Sequence, residues 1–171
     1  MEPRPPFRPD TELLGAAPSP AAARDRPAVD LAPGAAFESY EILERVGRGA
    51  MGVVYRARNT ALDRIVALKI LVPPRAGEAK LLERFVAEAR ILARLDHHNL
   101  VGIYRVGRHE DVDFIEMEFV AGSLDDRLRR GPLEIDEACR VAEQVARALS
   151  RAHELGVIHR DVKPANVLLT A

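Results

Sequence analysis

The sequence has no tryptophan and a single cysteine. One cysteine excludes an internal disulfide and any paired-cysteine metal site, and it points to a reducing compartment. An excess of one charge is also missing: 25 basic against 26 acidic side chains leave a net charge of −1. That balance gives no electrostatic reason to expect nucleic acid or an anionic membrane as partner. Runs of about 18 apolar residues are absent, so no membrane-spanning segment is expected within the chain. The opening MEPRPPFRPD lacks the apolar stretch of a signal peptide. A cytoplasmic location is the expectation, with a membrane anchor beyond Ala171 left open. What the chain does have is 47% hydrophobic residues over 171 positions, enough for the core of one domain.

Composition changes near residue 37. Met1 to Ala36 holds eight of the twelve prolines, many alanines and few large apolar residues. Such a stretch cannot bury enough surface to offset its ordering entropy, so 1–36 reads as a disordered leader. The other use of such a leader is a docking or phosphorylation tail, for which it offers only Thr11 and Ser19.

From Glu38 the pattern is regular. YEILERVG, GVVYRARN and RIVALKILV read as strands, the last closed by Pro73 and Pro74. Glu78 to Leu95 reads as a helix with Leu81, Phe85, Leu92 and Leu95 at helical spacing. Strands follow at LVGIYRVG and VDFIEMEFV. A short helix starts near Ser123 as N-cap and stops at Gly131-Pro132. A long helix runs from Ile135 to Glu154, lining one face with Val141, Val145, Ala148, Leu149 and Ala152, and Gly156 ends it. Three strands, a helix, two strands and then helices make an α+β order rather than βαβ alternation.

Three spots call for a chemical explanation. Gly47, Gly49 and Gly52 have G-x-G-x-x-G spacing. A dinucleotide site would need a helix straight after them. They lead instead into strand-like VVYRAR, so they predict a hairpin, either an ordinary one or a flap whose backbone N–H groups fold over phosphates. The second spot is Lys69 inside IVALKILV, where both faces of the strand are apolar. Either it snorkels from an edge strand or it is drawn inside and needs an anionic partner. The third is Glu88, in the middle of the stripe Leu81, Phe85, Leu92, Leu95, where an unpaired carboxylate is costly. Lys69 and Glu88 explain each other if they pair, and such a pairing suggests a lysine held for a purpose.

The remaining polar spots have plainer readings. Adjacent His97 and His98 make poor co-ligands for a metal. Cys139 is expected in the core of the long helix. DDRLRR reads as a solvated helix face.

With "GRGAMGVVY", "VALK", Glu88 nineteen residues after Lys69, and "HRDVKPANVLL" in this order, the chain resembles eukaryotic-type protein kinases, and in particular their bacterial Ser/Thr members. The resemblance covers Tyr40 to Leu169. It implies a protein-kinase-like α+β fold: a five-stranded antiparallel small lobe with one helix over 37–120, then over 121–171 the first helices and catalytic loop of an incomplete helical large lobe. The family's domain is larger than this stretch, so roughly half of it is expected here.

By position, the resemblance puts Gly47, Gly49 and Gly52 over the phosphates of ATP and Lys69, fixed by Glu88, on its α- and β-phosphates. Val54 and Ala67 cover the adenine from above and Leu168 lies below. Met117 guards the back of the pocket, while Glu118 and Val120 offer backbone groups to the base. Asp161 orients the substrate hydroxyl, Lys163 neutralises the transferring group, and Asn166 binds the metal, Mg2+ with Mn2+ as substitute. His159 and Arg160 are structural in the family, and Arg160 often pairs with an activation-loop phosphate. Lys163 implies Ser/Thr protein substrates. FVAGSLDD is one residue shorter than the family's usual hinge, so the ribose contact falls on Ser123, Asp125 or Asp126. No Asp-Phe-Gly follows Asn166, and Asp113-Phe114 is a decoy on a strand. The implied function is an ATP-dependent Ser/Thr protein kinase present as a partial domain, with negligible transfer by this chain alone. The alternative is a non-catalytic form that binds nucleotide weakly or pairs its small lobe with another kinase. A dinucleotide-dependent oxidoreductase is the distant third.

Overall fold

The computed structural model describes residues 30–49, 51–72 and 79–170. The β-branched and aromatic runs between residues 40 and 71 form three consecutive antiparallel strands, β2 (Tyr40–Gly49), β3 (Gly52–Asn59) and β4 (Arg64–Leu71). A two-residue strand β1 (Ala36–Phe37) precedes them. Helix α1 (Ala79–Leu92) then crosses to β5 (Ile103–His109) and β6 (Val112–Glu118). The sheet order is β1-β2-β3-β4-β6-β5, with every neighbouring pair antiparallel. The five expected strands are all present, and β1 adds a sixth at the edge.

β1 also corrects the expected leader, whose last residues are part of this edge. The Gly34 N–H donates to the Ile42 carbonyl at 2.8 Å and the Ile42 N–H donates to Ala35 at 2.9 Å. The Leu31 N–H donates to the Tyr55 hydroxyl at 3.0 Å. Leu31 and Ala35 pack on the core, which supplies the burial that composition alone concealed. The expected disorder of residues 1–29, the prolines at 73 and 74 and the start of the helix at Glu78 lie outside the described residues.

Each sheet face carries its own apolar cluster, as strand alternation requires. One face gathers Phe37, Tyr40, Ile42, Tyr55, Val66, Leu68, Ile70 and Phe114. The other gathers Leu71 and Ile115 against Val86 and Ala89 of α1, with Leu82, Phe85, Val106 and Met117 at its margin. The stripe of α1 therefore runs through Leu82, Phe85, Val86 and Ala89. The stripe expected through Leu81, Phe85, Glu88, Leu92 and Leu95 keeps Phe85 but is otherwise displaced by about one position: Leu95 lies past the helix end, and the side chain of Leu81 is outside the described residues.

Beyond the sheet, β7 (Gly122–Ser123) leads into α2 (Leu124–Leu128), and α3 (Ile135–Glu154) follows. Ser123 caps α2 with a full capping box: its hydroxyl accepts from the Asp126 N–H, and the Asp126 carboxylate accepts from the Ser123 N–H. Helix α3 has the expected bounds, with Asp136 and Glu137 in its first turn and Arg151 and His153 in its last, all favourable to the helix dipole. Gly156 follows it with φ 76°, a left-handed conformation that glycine adopts without strain. Only Ala148 and Ala152 of α3 are buried. Cys139, expected in the core, is exposed, because α3 is covered near its C-terminal end alone. The chain then forms a one-turn 3-10 helix at Pro164–Asn166 and strand β8 (Leu168–Leu169), which pairs with β7.

Candidate active site

The glycine-rich turn is a β-hairpin closing on the pair Gly49 and Gly52, so the helix that a dinucleotide site needs is not there. The glycines serve different ends. A Cβ at Gly52 would collide with the Ile70 carbonyl oxygen, so β3 approaches β4 closely only because this residue has no side chain. Gly47 and Gly49 face open space.

Cross-strand register then assembles one face. Gly47 lies opposite Val54, Val54 opposite Lys69 and Lys69 opposite Ile115. The next row joins Arg56, Ala67 and Met117. Directly opposed residues share a face, so Val54, Ala67, Lys69 and Met117 line one surface beside the glycine hairpin. Glu118 closes β6 opposite Val66, with its N–H donating to Gly102 at 2.8 Å. Val120 follows just outside the ladder.

Lys69 is partly buried, and burial pushes its pKa below the ordinary 10.5. Its expected partner is not Glu88. The Lys69 ammonium lies 4.6 Å from the ring centroid of Phe85, a cation–π contact. Glu88 accepts instead from Arg84, one turn earlier on α1, at 3.2 Å, and lies 3.8 Å from Arg160. The displaced stripe explains the difference. Phe85 belongs to the apolar face that packs on the sheet, where Lys69 is, and Glu88 sits at its margin within reach of two guanidinium groups.

The loop after α3 is compact. The Asp161 carboxylate accepts from Lys163 Nζ at 2.7 Å and from Asn166 Nδ2 at 3.0 Å. The same Asn166 amide donates to the Asp161 carbonyl at 2.7 Å. His159 Nδ1 accepts from the Asp161 N–H at 3.3 Å, and Arg160 takes a left-handed φ of 61°. Pro164 starts the 3-10 turn that brings Asn166 back to Asp161. The Lys163 ammonium first, and the Asn166 amide with it, hold the Asp161 carboxyl below the usual carboxylate range. Catalytic candidates Asp161, Lys163 and Asn166 thus form one hydrogen-bonded group. Strand β8 fastens this loop to β7, with Leu168 opposite Ser123. Of the three ribose candidates, Ser123 and Asp126 bind each other at 2.6 Å, and Asp125 pairs with Arg129 at 2.6 Å.

Magnesium takes oxygen ligands and keeps several waters or phosphate oxygens. An oxygen donor of this kind is present: the Asn166 nitrogen is committed to Asp161, which leaves the Asn166 side-chain carbonyl oxygen open to a cation. Among the described residues, no cluster of three or more His, Cys, Asp or Glu suits a dedicated metal cage. His97 and His98 stack on each other at 4.8 Å.

One group was not foreseen. Glu116 is only 3% exposed, on the sheet face opposite Lys69. It accepts from the Tyr40 hydroxyl at 3.0 Å, the Asn59 amide at 2.9 Å and Arg64 at 3.4 Å. Burial first, then the Glu116 carboxylate, push the Tyr40 hydroxyl up to about 12. The signal in the sequence was parity: in VDFIEMEF, Glu116 shares a face with the core residue Phe114.

The protein kinase domain family matches residues 40–171. The serine/threonine-protein kinase PknJ of Mycobacterium tuberculosis is 43% identical over 142 residues, 82% of this chain and 24% of PknJ. The serine/threonine-protein kinase PrkC of Bacillus subtilis is 41% identical over 132 residues, 76% of this chain and 20% of PrkC. The chain thus spans about a quarter or less of the length of these curated relatives. Among solved structures, the M. tuberculosis PknI kinase domain superposes with a TM-score of 0.72 at 33% identity, covering 82% of this chain and 58% of that one.

Proposed function

The chain belongs to the protein kinase family, and we propose from this premise that it carries the nucleotide-binding face and catalytic loop of an ATP-dependent serine/threonine protein kinase. The observation that carries the reading is the Asp161, Lys163, Asn166 group, in which a carboxylate, an ammonium and a neutral amide are held together by short hydrogen bonds. Phosphoryl transfer needs positioning and positive charge more than covalent help. Asp161, kept anionic, accepts a hydrogen bond from a serine or threonine hydroxyl and aims it. Lys163 spreads positive charge towards the phosphoryl oxygens. Asn166 offers its carbonyl oxygen to Mg2+, or to Mn2+ in its place, which screens phosphate charge when bound. Upstream, Val54 and Ala67 cover the adenine with Leu168 on its other side, Met117 guards the back of the pocket, and the backbone at Glu118 and Val120 meets the base edge. Lys69 meets the phosphates beneath the hairpin of Gly47, Gly49 and Gly52.

A second reading has its own observation. With Glu88 held by Arg84 and Arg160, Lys69 has no carboxylate partner among the described residues. That arrangement suits a form that binds nucleotide without transferring phosphate. The test incubates the protein with γ-labelled MgATP and a serine- and threonine-rich acceptor. Label on serine or threonine that disappears in Asp161→Asn supports the kinase reading. Nucleotide binding with no transfer is the result expected of this chain by itself and agrees with either reading, and neither binding nor transfer contradicts both. Among the described residues no helix is long and apolar enough to cross a membrane.

A further inference from the structure

Glu116 stands where a hydrocarbon would be expected, between two residues that face the site. Its neighbours Ile115 and Met117 point to the nucleotide face, opposite Lys69 and Ala67. Glu116 itself points the other way, beside Tyr40 and Phe114, which are 1% and 0% exposed. A carboxylate in such surroundings is tolerated only where donors meet it.

Those donors come from three different strands. Tyr40 opens β2, Asn59 ends β3 and Arg64 opens β4, and cross-strand pairing puts the three in one row. Each is itself fixed. The Tyr40 ring packs edge-to-face on Phe114 at 5.7 Å. The Asn59 side-chain oxygen accepts from the N–H groups of Ala61 and Leu62 at 3.1 and 3.2 Å. The Arg64 guanidinium lies 3.8 Å from the ring centroid of Tyr104. An apolar side chain at 116 could slide over its neighbours at little cost. A carboxylate with three such donors is satisfied at one placement of β6 only.

The two positions after Glu116 are those that the proposed function sets against the base. Resting on that reading, we infer that Glu116 is a positioning residue for the purine: held by Tyr40, Asn59 and Arg64, it fixes the end of β6 so that Met117 and the Glu118 backbone present one geometry to adenine. It acts through those residues and touches no substrate itself. The Tyr40 hydroxyl keeps its proton well above neutral pH, so the donor is present under all ordinary conditions.

The test titrates MgATP and MgGTP into the wild-type chain and into Glu116→Met, Glu116→Gln and Tyr40→Phe, at a temperature where each is folded by circular dichroism. Glu116→Met leaves the Tyr40, Asn59 and Arg64 donors without their acceptor and should itself cost stability, so affinity is compared only where each variant is folded. The wild type should prefer MgATP. In Glu116→Met that preference should narrow by about ten-fold through weaker MgATP binding, the scale of one lost base contact. Glu116→Gln should recover part of it, and Tyr40→Phe should lose about three-fold, the smaller effect because Asn59 and Arg64 still hold the carboxylate. Should Glu116→Met fail to fold, Tyr40→Phe, which keeps the ring, decides the matter. Folded variants with unchanged preference for MgATP overturn the inference and leave the kinase reading standing. A wild-type chain that binds neither nucleotide overturns both.

Discussion

Arg160 of the catalytic loop lies 3.8 Å from Glu88 of α1, and Lys69 rests over the ring of Phe85. The carboxylate that the resemblance assigns to Lys69 is thus shared between two arginines. Both Arg160 and Glu88 keep some contact with solvent, so the pair is weak, about 1 kcal/mol or less. Arg160→Ala should therefore leave Glu88 held by Arg84 alone, at little cost in stability. MgATP affinity should rise by no more than about five-fold, the factor that 1 kcal/mol permits. A marked loss of affinity would show that Arg160 supports the site and does not compete for Glu88.

The three glycines of the hairpin should separate by role. Gly52→Ala pushes a Cβ into the Ile70 carbonyl oxygen, and overpacking of this kind costs about 1–3 kcal/mol. Gly47→Ala and Gly49→Ala meet nothing within 4 Å and should leave the melting temperature nearly unchanged. Any effect of these two on MgATP affinity then reports contact with phosphate. Thermal melts with parallel nucleotide titrations check both halves, and equal melting temperatures for all three variants would contradict the division.

Tyr40 gives a pH signature. Its hydroxyl ionises near 10.0 when unfolded and is pushed up to about 12 in the fold. The folded state therefore binds the proton more tightly. The stability it contributes is complete below pH 10 and is lost as pH rises from 10 through 12. Denaturant titrations across that range should show the loss, and Glu116→Gln should reduce it by removing the charge that repels tyrosinate. A Glu116→Gln profile identical to wild type would contradict the Tyr40–Glu116 coupling.

Local pattern carried much of this structure. Helix α3 has the expected bounds because its apolar spacing, first-turn acids and terminal Gly156 all agree. Ser123 caps α2 as expected, since capping is decided within four residues. The Asp161 to Asn166 group was legible for the same reason: its members sit on one short loop. What failed depended on distant partners. Lys69 and Glu88 are each unusual alone, yet a shift of about one position in the α1 stripe sends them to Phe85 and to Arg84 and Arg160. Glu116 went unnoticed because its donors come from 52 to 76 residues away. Leu31 and Ala35 looked like leader because they pack against a sheet face that composition cannot show.

Lys69 offers the most direct measurement. Burial lowers its pKa from 10.5, so the unfolded chain holds this proton more tightly, and stability should rise with pH between the lowered value and 10.5. A partly desolvated ammonium is also well placed for an anionic ligand. The deciding experiment is calorimetric titration of MgATP into the wild-type chain and into Lys69→Met, both shown to be folded. Saturable binding at one site, weakened about ten-fold or more in Lys69→Met as befits the loss of a charged contact, is the predicted result. No binding by wild type, or equal binding by Lys69→Met, would contradict the assignment of this face to ATP.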